Sequence, residues 1–107
     1  MEATISEIVT ETAKDLMKIG RWAQNGAVDK AAQRLAWGAA TIYTEEGQNL
    51  LYDAARDLGQ AGLEYNVEAV FINKTADYLR LDDIASARYF ASRTLVEAER
   101  LIKAVRK

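Results

Sequence analysis

The sequence contains no cysteine, no histidine and no proline. Without cysteine there is no disulfide frame, no thiolate nucleophile, no iron–sulfur cluster and no Cys-based zinc site. Without histidine there is no Ser-His-Asp triad, no imidazole-ligated metal and no imidazole pH switch. Long apolar runs are missing too. The longest near-apolar stretch, around Leu35 to Tyr43, is far short of the ~20 residues needed to span a bilayer. Met1-Glu2-Ala3-Thr4-Ile5-Ser6-Glu7 is acidic and mixed, without the basic and apolar regions of a signal peptide, and neither end carries a lipidation motif. The expectation is a cytoplasmic protein with no membrane partner.

What is there is a chain of 107 residues, half of them apolar and 28% charged. That is the composition of one globular domain able to bury a core. The net charge is −2, from 14 bases and 16 acids, but the charge is unevenly spread. The segment from Arg88 to Lys107 holds Arg88, Arg93, Arg100, Lys103, Arg106 and Lys107 against only Glu97 and Glu99. Cations there suit the negative end of a helix macrodipole, or form an anion-binding strip.

Period-two alternation is absent, and apolar residues recur at three- and four-residue spacing, which predicts an all-α chain. Four helices are expected, over about 2–24, 28–58, 63–81 and 83–106. Thr4-x-x-Glu7 has the form of a capping box, ahead of a stripe of Ile5, Ile8, Val9, Thr12, Leu16, Ile19 and Ala23. Asn25-Gly26 is expected to end this helix in the left-handed conformation. The second stripe is Val28, Ala32, Leu35, Ala39, Ile42, Tyr43, Leu50 and Ala54, with Gly38 and Gly47 inside it as marks of a kink, a break near Glu46-Gly47 or a close helix contact. Gly59-Gln60-Ala61-Gly62 reads as a turn. The third stripe is Leu63, Val67, Val70, Phe71, Tyr78 and Leu81. Asp82-Asp83 supplies cap chemistry for a last helix with Ile84, Ala87, Ala91, Leu95, Ala98, Leu101, Ile102 and Val105 inward. Short connections favour antiparallel neighbours. The expected architecture is therefore a four-helix antiparallel bundle, or two stacked α-hairpins.

A faint internal repeat pairs Trp22 with Tyr78, Val28 with Ile84 and Ala31 with Ala87, at an offset of 56. Each copy has an aromatic residue, a polar turn and a small residue nine positions after the aromatic. The segment from Tyr78 through Asp82-Asp83 and Ala87 to Phe90 resembles the middle of a tetratricopeptide hairpin, as does Asn25-Gly26-Ala27-Val28 through Ala31. The offset differs from that family's ~34-residue period, and the closing proline is absent. Any α-hairpin also needs a small residue where its helices cross. The resemblance implies a protein-binding hairpin scaffold and carries over no catalytic residue.

Few residues suggest chemistry. Glu46 falls on the second stripe, where a buried carboxylate needs a partner. With Glu45, Glu64 and Glu68 it would be the raw material of an oxygen-only Mg²⁺ site in an enzyme. The spacings of helical Mg²⁺-dependent pyrophosphatases are not found, so the expectation is a protein that is not an enzyme and needs no cofactor or metal. Trp37 lies opposite Leu35, Ala39 and Ile42 on the second helix, with Thr41, Thr44, Gln48, Leu51 and Ala55 extending that face. A helix apolar on two sides is either enclosed by its own bundle or buried against another chain. Trp37, Thr41, Thr44 and Leu51 are thus candidate partner-binding residues, with self-association into a homodimer as the leading expectation. Tyr89, Arg93, Val96, Arg100 and Lys103 share the outer face of the last helix, a second candidate docking strip for an acidic partner or for nucleic-acid phosphates. An acidic domain with no helix-turn-helix, RNP or zinc pattern argues against nucleic acid. The function expected from the sequence is a non-catalytic interaction module or a small regulator that binds one protein target.

Overall fold

A computed structural model describes residues 3–106. Glu2, where the first helix was expected to start, and Lys107 of the basic run lie outside the described residues. Within them the chain forms five α-helices and one 3-10 turn, with no strand.

Helix α1 (Ile5–Trp22) opens on the expected capping box. The Thr4 hydroxyl accepts from Glu7 N at 3.1 Å, and the Glu7 carboxylate accepts from Thr4 N at 2.9 Å. The Thr4 backbone N–H first, and its nearby hydroxyl second, hold the Glu7 carboxyl below the usual range. The left-handed residue after α1 is Gln24, with φ of 52°, not the expected Asn25-Gly26 pair. Asn25 instead caps α2 (Gly26–Ala40), its side-chain oxygen accepting from Ala27 N and Val28 N.

The long second helix expected over 28–58 is two helices. Helix α2 ends at Ala40, and α3 spans Glu45–Ala61. The Thr44 hydroxyl makes the new start. It accepts from Gly47 N at 3.0 Å and donates to the Thr41 carbonyl at 2.7 Å. Gly38 and Gly47 meet where α2 and α3 cross. A Cβ on Gly38 would stand 2.9 Å from the Gly47 carbonyl oxygen, and one on Gly47 would overlap the Thr41 carbonyl. The break therefore lies a few residues before the glycine that suggested it. The expected turn at 59–62 also starts late, since α3 runs to Ala61 and only Gly62 leaves the helix. A 3-10 turn (Leu63–Tyr65) leads into α4 (Asn66–Arg80). Asp82, with φ of 57°, makes the last turn. Asp83 starts α5 (Ile84–Arg106), accepting from Ser86 N at 3.1 Å and from the Ser86 hydroxyl at 2.8 Å.

Each helix packs against the next, and α5 closes on α1. The first four are antiparallel to their neighbours in turn. Ser6 donates to the Ala39 carbonyl across α1–α2, Arg34 pairs with Asp57 at 2.7 Å across α2–α3, and Glu45 pairs with Arg80 across α3–α4. The closing pair is parallel. Arg88 donates to the Ala3 carbonyl, Thr12 and Thr94 hydroxyls meet at 3.1 Å, and Arg106 sits over Trp22. The expected four-helix count is corrected to a five-helix ring around one core. Every helix supplies buried aliphatics to it, among them Leu16, Leu35, Leu51, Ile72 and Leu101. Burying each such side chain fully stabilises by about 1.5–3 kcal/mol.

The phase of α4 differs from expectation. Val67, Val70 and Leu81, expected in the core, are exposed, as is Leu63 of the preceding turn. The inward residues are Tyr65 of that turn and Glu68, Ala69, Ile72, Thr75, Ala76 and Leu79 of α4. Both sets have helical spacing. The set with Ala69 and Ala76 lets α4 lie close to the core, while Phe71 and Tyr78 reach sideways to a partner on α5.

Candidate functional site

The α4–α5 seam turns a mixed aromatic, aliphatic and basic surface outward. On α4, Val67, Val70, Phe71, Lys74 and Tyr78 are linked by three- and four-residue spacings (67/70/74/78 and 67/71/74), so they occupy one side of the helix. On α5, Tyr89, Arg93, Val96, Arg100 and Lys103 do the same, and all five are exposed. Phe90 joins the two sides. It stacks on Tyr78 with ring centroids 5.5 Å apart, tilts against Phe71 at 6.3 Å and meets Tyr89 edge-on at 5.1 Å. The Arg93 guanidinium lies 5.3 Å from the Phe71 ring centre, a contact worth ~0.5–1 kcal/mol at an exposed site. Val70 and Val96 border this cluster at 52% and 56% exposure. The Arg100 guanidinium grips Glu97 through two bonds of 2.8 and 2.7 Å, and those bonds raise its pKa further.

The α5 strip expected from the sequence is thus brought together, and the misplaced α4 stripe joins it. The other expected face does not survive the break between α2 and α3. Leu51 is 1% exposed and belongs to the core, with Gln48 and Ala55 buried beside it, because α3 has its own rotation about its axis. Thr41 and Thr44 lie in the corner, where their hydroxyls bond to backbone carbonyls of Trp37 and Thr41. Trp37 is 69% exposed on the outer side of α2, and Thr41, Tyr43 and Thr44 of the corner are also exposed.

The four carboxylates weighed as a metal site do not converge. Glu45 and Glu46 sit in the first turn of α3, so Glu46 is exposed and not on a buried stripe. Glu45 pairs with Arg80 at 3.7 Å. Among the described residues no group of three or more acids could hold a metal ion. Of these four, the buried one is Glu68. Neither of its oxygens has a hydrogen-bond partner among the described residues. Burial first, then the charges of Glu97 and Asp15, push its carboxyl well above the usual range. Its signal was present: Glu68 stands at helical spacing with Tyr65, Ile72 and Leu79.

Among the described residues, no helix is long and apolar enough to cross a membrane. The chain matches no protein-family model, no curated protein and no solved structure.

Proposed function

We propose that this chain is a non-catalytic protein-docking bundle whose contact face is the outer surface of α4 and α5. One observation carries the reading. Apolar side chains at helical spacing on both helices are left outside the core and held in one cluster by Phe90. Contiguous exposed apolar surface rimmed by polar groups marks interaction sites, and aromatic and arginine side chains supply most of the energy of such contacts. Lys74, Arg93 and Lys103 give the face a positive rim, so its partner is an acidic amphipathic segment. The resemblance to a tetratricopeptide hairpin agrees with a docking role. The closed ring differs, however, from an open stack of repeats.

The test is a labelled synthetic helical peptide with a Leu/Phe stripe flanked by Glu and Asp, titrated with the chain by anisotropy. Binding should saturate, weaken as salt is raised, and fall at least tenfold in a Val70→Glu, Val96→Glu double variant. Both positions are exposed, so the fold should tolerate the changes. Equal binding by that double variant would sink the proposal.

A second reading, self-association anchored by Trp37, is favoured by the exposure of that indole and of Tyr43. Light scattering across a wide concentration range separates the two readings. A dimer lost in Trp37→Ala but kept in the double variant supports the Trp37 face. A dimer lost only in the double variant assigns self-pairing to α4–α5.

A further inference from the structure

Glu68 has no exposed surface, and its two carboxyl oxygens have no hydrogen-bond partner among the described residues. The charged groups that act on it are both acids, Glu97 from α5 and Asp15 from α1. Arg100 holds both oxygens of Glu97, and the charges of Lys18, Glu99 and Glu11 act on Asp15. From α3, Tyr52 and Glu45 meet Asp77 and Arg80 near the other end of α4. Asp77 is nine residues away, roughly 14 Å along the helix. Asp57 of α3 is held by Arg34. The 3-10 turn contributes the buried Tyr65 beside an exposed Glu64. An ionised carboxylate in this place would have neither a counter-ion nor a donor, whereas a neutral carboxyl avoids most of that desolvation cost.

We propose that Glu68 is a proton-dependent latch: protonated, it lets α4 sit in the bundle, and ionised, it drives α4 outward. The flanks of α4 and of the turn before it are the places where the backbone departs from helix. They hold Gly62, with φ of 153°, and Asp82, with φ of 57°. The inward side of α4 carries Ile72 and Leu79 as large aliphatics beside Ala69, Thr75 and Ala76, and its outer side already faces solvent. The raised pKa of Glu68 agrees with this. The unfolded chain titrates Glu68 in the ordinary carboxylate range, while the folded chain keeps the proton to higher pH. Stability from this group is therefore greatest below the ordinary range. It falls as pH rises toward the raised pKa and levels off above it. The latch does not depend on the docking reading, although α4 carries half of that face.

The experiment is thermal unfolding and hydrogen exchange of the whole chain from about pH 5 to about pH 9, with exchange corrected for base catalysis. Glu68→Gln serves as the near-isosteric variant. Glu68→Leu serves as a second, in case the amide packs badly. The parent chain should lose stability as the pH rises, with α4 peptides losing protection first. One linked proton raises their opening constant by up to about tenfold per pH unit. Both variants should flatten the profile and melt higher than the parent at alkaline pH. An unchanged pH slope in both variants would overturn the latch. So would protection lost evenly across all five helices. A Mg²⁺- or Ca²⁺-dependent rescue of the parent at alkaline pH, absent in Glu68→Gln, would replace the latch with a cation site.

Discussion

Gly47 and Gly59 lie in the same helix and respond oppositely to a methyl group. At Gly47 a Cβ would run into the Thr41 carbonyl, part of a backbone turn that cannot swing aside. Gly47→Ala should destabilise by about 1–3 kcal/mol, the usual cost of overpacking. At Gly59 a Cβ meets nothing within 4 Å, so Gly59→Ala should gain up to about 1 kcal/mol of helix propensity. Urea unfolding of the two variants checks both signs. A Gly47→Ala chain as stable as the parent would mean that the close crossing of α2 and α3 is wrong. The sequence marked Gly47 as unusual because glycine is costly inside a helix. It could not show whether the cause was a break, a kink or a contact, since the atom that excludes a side chain there belongs to Thr41 before the break.

Elements were legible where their signals are local. The Thr4–Glu7 box and the Asp83 cap act over three residues, so the residue types alone identified both caps, although the helix expected over about 2–24 begins at Ile5. The Thr44 signal is equally local, but the residue expected on an apolar face is the cap of α3. Thr44→Ala should cost about 1 kcal/mol, and exchange should rise first in the opening turn of α3, at Gly47 and its neighbours. No change in stability or exchange would mean that the corner is held by other contacts. The rotation of α4 was not legible in the same way. Val67, Val70 and Phe71 are larger than Ala69 and Ala76, and size favoured the wrong stripe. Which side turns inward depends on how much room α3 and α5 leave, and nothing within α4 encodes that distance. The same choice puts Glu68 in the core and leaves Val67 and Val70, half of the proposed docking face, on the outside.

At the scale of the molecule, the ring is closed by α1 and α5, whose contacting residues are far apart in sequence. Thr12 and Thr94 meet in the core with hydroxyls 3.1 Å apart, and each is also within reach of a carbonyl of its own helix, Ile8 and Ala91, so two protons are shared among three contacts. Thr→Val keeps the shape and removes the hydroxyl. Each single variant should lose about 1 kcal/mol. The double variant should lose less than the sum, because the two groups share one contact. Strict additivity in a double-mutant cycle would show that the closure does not use this pair.

The amino-acid order alone sufficed for the all-helical class, the absence of thiol and imidazole chemistry, two of the helix caps and the outer strip of α5. Those features rest on composition, on three- and four-residue spacing, and on caps that reach one turn. Packing decided the rest: five helices in a ring, the parallel α1–α5 closure, the burial of Leu51 and Glu68, and the joining of two helix faces around Phe90. Each of these depends on distances between segments remote in the chain. Such distances are set where small residues, Gly38 against Gly47 and Gly20 against the backbone of Asp29, allow helices to approach.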